Sequence, residues 1–150
     1  MDPTRKQKRG GVGLLAILFL PVLIALPAYA LSELATSVDW RLLVGAAVGM
    51  SGLTFLTYRT DKRRAEAGEW RIPESTLHLW DLLGGWPGGF LAQRIFRHKT
   101  SKTCFQVFFW GIIVLHQVVA IDSLNGWKIT KTGMEWIQSL DRKQNHHSRN

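Results

Sequence analysis

YRTDKRRAEAGEWRIPESTLHLWDLLGGWPGGFLAQRIFRHKTSKTCF, residues 58–105, is the stretch whose reading decides the fold. Charge stands at both of its ends, around an apolar segment broken by Gly84, Gly85, Pro87, Gly88 and Gly89. Arg59, Lys62, Arg63, Arg64 and Arg71 precede the segment; Arg94, Arg97, Lys99 and Lys102 follow it. Cationic loops beside apolar runs stay on the cytoplasmic face of a membrane. With both loops on that face, the segment between them does not cross. The expectation is a re-entrant or interfacial helical hairpin, with Gly84, Gly85, Pro87 and Gly88 at its turn. The alternative is a fourth full span that puts residues 97–102 outside. A first helix is expected over about 73–83, since Pro73 and Glu74 suit a helix's first turn, and a second over roughly 90–96.

Apolar runs lie on either side. Residues 12–31 carry no charge, and 20 residues make about 30 Å of helix, enough to span. Pro21 and Pro27 require neighbouring helices to accommodate a kink. The basic start and Ala28-Tyr29-Ala30 also resemble a cleaved secretory signal, although the apolar run is long for one. Residues 32–41 read as an outer loop, and 42–58 as a second span. Gly45 and Gly49 give that span a small-xxx-small pattern, where a second copy or another membrane helix could pack. Residues 104–121 form the last span, with His116 and Gln117 as interhelical hydrogen-bonders. Thr132 and Glu135 resemble a capping box that opens a short helix lying on the bilayer surface, followed by a disordered polar tail from 143.

The fold expected is therefore an all-α membrane protein with three transmembrane helices plus the hairpin. Its parts are a basic cytoplasmic arm over 1–11, a two-helix anchor over 12–57, the hairpin and last span over 58–121, and an interfacial helix with its tail over 122–150. Composition agrees: 46% hydrophobic and 20% charged, strongly segregated. The net charge of +8 would suit nucleic acid, but four Lys/Arg sit in the first nine residues and most others flank apolar runs. That distribution serves topology and contact with anionic lipid instead. A single cysteine, Cys104, excludes an intrachain disulfide and any cysteine-based metal site.

Two constellations could carry chemistry. On a helix, Glu74, His78, Asp81 and Gly85 share one narrow stripe, and ionisable groups there need a cavity or partners. An acid–base or metal site is one reading. A polar seam paired with Arg71, Arg94 or Lys62 is the other, and the absence of any complete metal motif favours it, so no metal or cofactor is expected. The second constellation surrounds the hairpin mouth: Asp61, Lys62 and Arg71 before it, and Arg94, Arg97, His98, Lys99 and Lys102 after it. Arginine forks and lysine point charges suit phosphate, on a lipid head group or on a substrate. Plain topology signalling with snorkelling side chains also accounts for the number of charges. The glycines at 84–89 match neither nucleotide-binding pattern.

Tyr58-x-x-Asp61-Lys62-x-x-Ala65, Trp70-Arg71-Ile72-Pro73-Glu74, Leu77-His78-Leu79, Gly84-Gly85-Trp86-Pro87-Gly88 and Arg97-His98-Lys99-Thr100, with Lys102 and Phe105, form an ordered set. It closely resembles the bacterial family called domain of unknown function 1294, small integral membrane proteins. The resemblance implies a multi-pass protein of the inner membrane of Gram-negative-type bacteria, in a family without an established activity, cofactor or partner. Some members carry a cold-shock domain before the membrane part; here only the basic arm stands there, so nucleic-acid binding does not carry over. Asp81 departs from the neutral residue expected at its position, which shifts weight to Glu74 with Arg71, His98 and Lys99. The function expected is a module that binds anionic lipid head groups or scaffolds a complex, with its amino terminus cytoplasmic. The alternatives are an enzyme acting on a lipid-linked or phosphate-bearing substrate, with Glu74 or His98 as acid–base, and a small structural subunit.

Overall fold

The computed structural model describes residues 17–34 and 39–147. The basic arm over 1–11 and the last three residues of the tail lie outside them. Every regular element among the described residues is a helix: α1 (Leu20–Leu34), α2 (Trp40–Ala67), α3 (Glu74–Trp80), α4 (Trp86–Phe96), α5 (Thr103–Leu124) and α6 (Lys128–His147). By length and composition α2 and α5 can each cross a bilayer; α1 is apolar but shorter. Three spans were expected; among the described residues, two helices have the length and composition for one.

Asp39 starts α2 by accepting a hydrogen bond from the Arg41 N–H, and Gly68, left-handed at φ 71°, ends it. The expected span over 42–58 is thus only part of a longer rod. Its helix continues through Arg59, Lys62, Arg63 and Arg64, because nothing in that run breaks a helix before Gly68. α3 and α4 form the hairpin. Between them Asp81–Gly85 winds wider than an α-helix and breaks at Gly84, whose φ of 98° is open to glycine without strain. The turn is therefore tighter than expected, and Pro87 and Gly88 are not part of it. α4 begins at Trp86, with Pro87 in its first turn, where the missing N–H costs nothing.

The other glycines of the hairpin allow close contact with neighbouring groups. A Cβ on Gly88 would overlap the Ser51 carbonyl, one on Gly85 the Thr54 hydroxyl, and one on Gly89 the Asp81 carboxylate. The hairpin thus lies directly on the α2 backbone. Tyr58, Leu77, Trp86, Phe90, Phe105, Phe109 and Ile113 fill the core where α2, the hairpin and α5 meet. Phe105, Phe109, Ile113 and Ala120 form the covered stripe of α5, while Val107, Phe108, Val114, Leu115 and Val118 face outward. An exposed apolar face of that extent marks a surface for contact with a membrane or another protein.

α1 packs along α5. Pro27 inside α1 supplies no N–H to the Leu23 carbonyl, and the Gln117 side chain donates to that oxygen at 2.8 Å. This is the neighbour's accommodation that the sequence calls for. His116 bonds back to the Ile112 carbonyl at 2.8 Å within its own helix. The final helix starts earlier than the Thr132 box. Asp122 caps it, accepting from the Ile129 and Thr130 N–H groups and the Thr130 hydroxyl, so Lys128 is its first residue. The helical backbone runs on to His147, where a disordered tail was expected from 143. Gly45 and Gly49 lie exposed on α2, with no atom within 4 Å of where a Cβ would stand.

These contacts separate the glycines experimentally. Gly88→Ala should destabilise the fold by about 1–3 kcal/mol, since the carbonyl it meets is backbone and cannot swing aside. Gly45→Ala should be neutral or slightly stabilising. Thermal unfolding in detergent, followed by circular dichroism, measures both.

Candidate functional site

Asp61 lies one helical turn beyond Tyr58 on α2 and is fully buried. Its Oδ1 accepts the Ile72 N–H at 3.0 Å, on the chain entering the hairpin. Its Oδ2 meets His98 Nε2 at 2.8 Å and Lys99 Nζ at 3.4 Å, on the chain leaving it. One carboxylate therefore holds both ends of the hairpin together. Lys99 reaches a second acid, Glu74, at 2.8 Å and stands 5.3 Å over the Phe105 ring. Lys102 closes the set on Glu74, at 2.9 Å from one carboxylate oxygen and 2.8 Å from the other. The Lys99 side chain is only 8% exposed, so its two carboxylates are needed to offset its burial. Burial pushes the Glu74 carboxyl up, but the Lys102 and Lys99 ammoniums outweigh it and hold the group below its usual range. Arg97 and Lys99 adopt left-handed backbone, φ 48° and 62°, and this side-chain network secures that costly conformation.

Of the expected site residues, Asp61, Glu74, His98, Lys99 and Lys102 come together here. Arg71 and Arg97 join Glu74, His98 and Lys102 around an open pocket of about 330 Å³, with Thr100 and Ser101 at its rim. Neither arginine has an ion-pair partner among the described residues. Lys62 turns away and pairs with Glu66 at 2.8 Å. Arg94 lies 4.8 Å over the Phe90 ring, on the side of its own helix. The seam's expected partners, Arg71, Arg94 and Lys62, are thus replaced by Lys99, Lys102 and Tyr58.

The stripe itself divides. Glu74 goes to the lysines, whereas Asp81 turns inward and accepts the Tyr58 hydroxyl at 2.6 Å. His78 Nδ1 stands 4.0 Å from Asp81, beyond hydrogen-bonding distance, and its ring lies 4.3 Å from that of Phe105. No Glu74–His78–Asp81 triad forms, because two ammoniums attract Glu74 and the helix widens at Asp81. Among the described residues, no three potential ligands gather as a metal site would require. Burial pushes the Asp81 carboxyl up to about 7, against the opposing effect of the Tyr58 bond, and burial also lowers the His78 imidazole.

Tyr58, Gln93 and Gln106 also belong to the site, beyond the residues expected there. Gln106 donates to Gln93 at 2.6 Å and to the Lys99 carbonyl at 3.1 Å, joining the mouth to the core. Gln93 on the buried face of a short apolar helix is the one local signal that pointed there. Beside the mouth, a second cavity of about 610 Å³ runs between α3 and α5, lined by Glu74, His78, Leu79, Leu82, Phe105 and Phe108 among others.

Residues 51–105, a little over a third of the chain, match the family described as "Protein of unknown function (DUF1294)", and the resemblance stands over that segment. A relative titled "Uncharacterized protein YsdA", from Bacillus subtilis (strain 168), is 38% identical over 61 residues. That match covers 41% of this chain and 65% of the relative. No solved structure matches. The matched segment contains the whole of the clasp made by Asp61, Glu74, His98, Lys99 and Lys102.

The buried acid makes stability depend on pH. A folded-state pKa of about 7 for Asp81 exceeds the ordinary 3.8, so the folded protein binds the extra proton between those values. The Asp81 contribution to stability should therefore fall as pH rises from about 4 to about 7 and level off above, against the opposite slope from the lowered Glu74 and His78 groups. Asp81→Asn should remove that contribution; chemical denaturation in detergent at a series of pH values reads it.

Proposed function

We propose that this protein resides in a bacterial cytoplasmic membrane and uses the hairpin mouth to bind anionic lipid head groups. The amino terminus faces the cytoplasm, the apolar segment ending in α1 spans with α2 and α5, and the hairpin enters and leaves from the cytoplasmic side. Supporting this orientation, Ile72 and His98 meet on one carboxylate, and Arg59, Lys62, Arg63, Arg64, Arg97 and Lys102 gather at the same end. The amphipathic α6 then lies at the opposite surface, with Ile129, Trp136, Ile137 and Leu140 exposed to the interface.

The observation that carries the head-group reading is the division of labour among the cations. Lys99 and Lys102 are committed to Glu74, whereas Arg71 and Arg97 line the open pocket without ion-pair partners among the described residues. Free guanidinium forks beside hydroxyl side chains suit a phosphate. A second reading, hydrolysis or transfer at a lipid phosphate, is favoured by one contact. Buried Asp61 orients His98 through Nε2 on the pocket wall, the arrangement by which a carboxylate prepares an imidazole for general-base work. The exposed face at Gly45 and Gly49 leaves room for a second copy or another membrane helix.

Native mass spectrometry of the detergent-solubilised protein with phosphatidylglycerol tests both readings. Each of Arg71→Ala and Arg97→Ala should reduce retained lipid about fivefold, as expected for about 1 kcal/mol per cation. Retention equal to wild type in both variants would sink the head-group reading, and a lipid product lacking phosphate would favour the enzyme. Topology has its own measurement. In a Cys104→Ser background, Ser101→Cys should react with an impermeant thiol reagent only from the cytoplasmic side; labelling from outside would overturn the hairpin orientation.

A further inference from the structure

We propose that the site holds a single amphiphile, an anionic lipid phosphate with one hydrocarbon chain lodged between α3 and α5. The inference rests on the head-group reading of the cationic pocket and adds what binds beside it. The two cavities share a wall, Glu74. On one side of it stand Arg71 and Arg97; on the other the lining becomes Leu79, Leu82, Phe105, Phe108 and Ile112. A ligand filling both must be anionic at one end and apolar at the other.

The groove has dimensions suited to a chain. From Cys104 to Ile112 on α5 the helical rise is about 12 Å, comparable with the inner half of an acyl chain. The volume, about 610 Å³, exceeds that of the polar pocket, about 330 Å³. The groove is also open on its outward side, where Leu82 is 45% and Phe108 66% exposed. That side is continuous with the outward apolar face of α5, so a chain enters laterally and needs no passage through water. His78 lines the groove one turn beyond Glu74, and its burial favours the neutral imidazole, so the lining carries no fixed charge beyond Glu74.

The physics also limits how much the groove can contribute. Lipid tails are as apolar as the groove lining, so in a membrane the chain gains no hydrophobic driving force on entering. What the groove contributes is shape and orientation, which distinguish one seated lipid from the diffuse attraction of anionic head groups to a basic surface. In detergent, where a delipidated groove has to be refilled, the contribution should be larger and measurable.

The test uses the full chain in detergent and one probe, dioleoyl phosphatidate, with retention read by native mass spectrometry. Leu82→Trp and Leu79→Trp each fill the groove from an exposed position; a variant is scored only if its helicity matches wild type. The expected result is at least a fivefold loss of phosphatidate in both groove variants and in an Arg71→Ala, Arg97→Ala double variant. Unchanged retention in the two groove variants, with loss in the arginine variant, overturns the seated chain and leaves the head-group reading standing. Loss in the groove variants with none in the arginine variant overturns both, since the groove then captures lipid without regard to its phosphate.

Discussion

The buried carboxylate of Asp61 is the contact on which the rest of the structure depends. Helices of 7 and 11 residues cannot hold their own shape, because nucleation costs more than so few hydrogen bonds return. They persist because α2 grips them at two heights. Near the turn, Tyr58 donates to Asp81; at the mouth, Asp61 takes the N–H of Ile72 and the side chains of His98 and Lys99. An unpaired buried carboxylate would be costly, and here three donors satisfy it. The grip depends on α2 remaining helical well past its apolar stretch, which its charged end does as far as Gly68.

Several polar groups share the apolar core, while many large apolar side chains face outward. Thr54, Asp61, Asp81, Gln93 and Asp122 are buried, while large apolar side chains cover much of α2 and α5. In the membrane proposed above, the outward apolar faces meet lipid, and Asp61 and Asp122 find their hydrogen-bond partners within the protein. Gln117 on the Leu23 carbonyl, freed by Pro27, and Asp122 on the first amides of α6 are local solutions to the same problem. The glycines serve the same packing by another route. By bringing α4 onto the backbone of α2, Gly85 and Gly88 place the hairpin close enough for Tyr58 to reach Asp81.

Glu74 connects this architecture to the site. It pairs with two lysines at the mouth, while Arg71 and Arg97 line the pocket with no ion-pair partner among the described residues. The same side chain forms the boundary with the apolar groove. Stability and recognition thus draw on one acid, and Asp61, behind the pocket wall, fixes where His98 and Lys99 stand relative to it.

Much of this was legible in the residues. Charge clusters around a glycine-broken apolar segment implied that 72 and 98 return to one end, and Asp61 does join them there. Such signals are local, since each charge and glycine carries its meaning with its neighbours in sequence. Pairing across elements was not legible. Arg71, Arg94 and Lys62 were as plausible beside the Glu74 stripe as Lys99 and Lys102, because which cation arrives depends on how α5 docks and on the left-handed backbone at Arg97 and Lys99. The capping of α6 by Asp122, ahead of Thr132, likewise depends on the angle at which the chain leaves α5. The sequence by itself determined that the chain would be helical and that the ends of its apolar hairpin would meet among charges. Tertiary structure decided which charges cancel and which remain free, because an ion pair is set by a distance of a few ångströms between elements that the sequence keeps far apart.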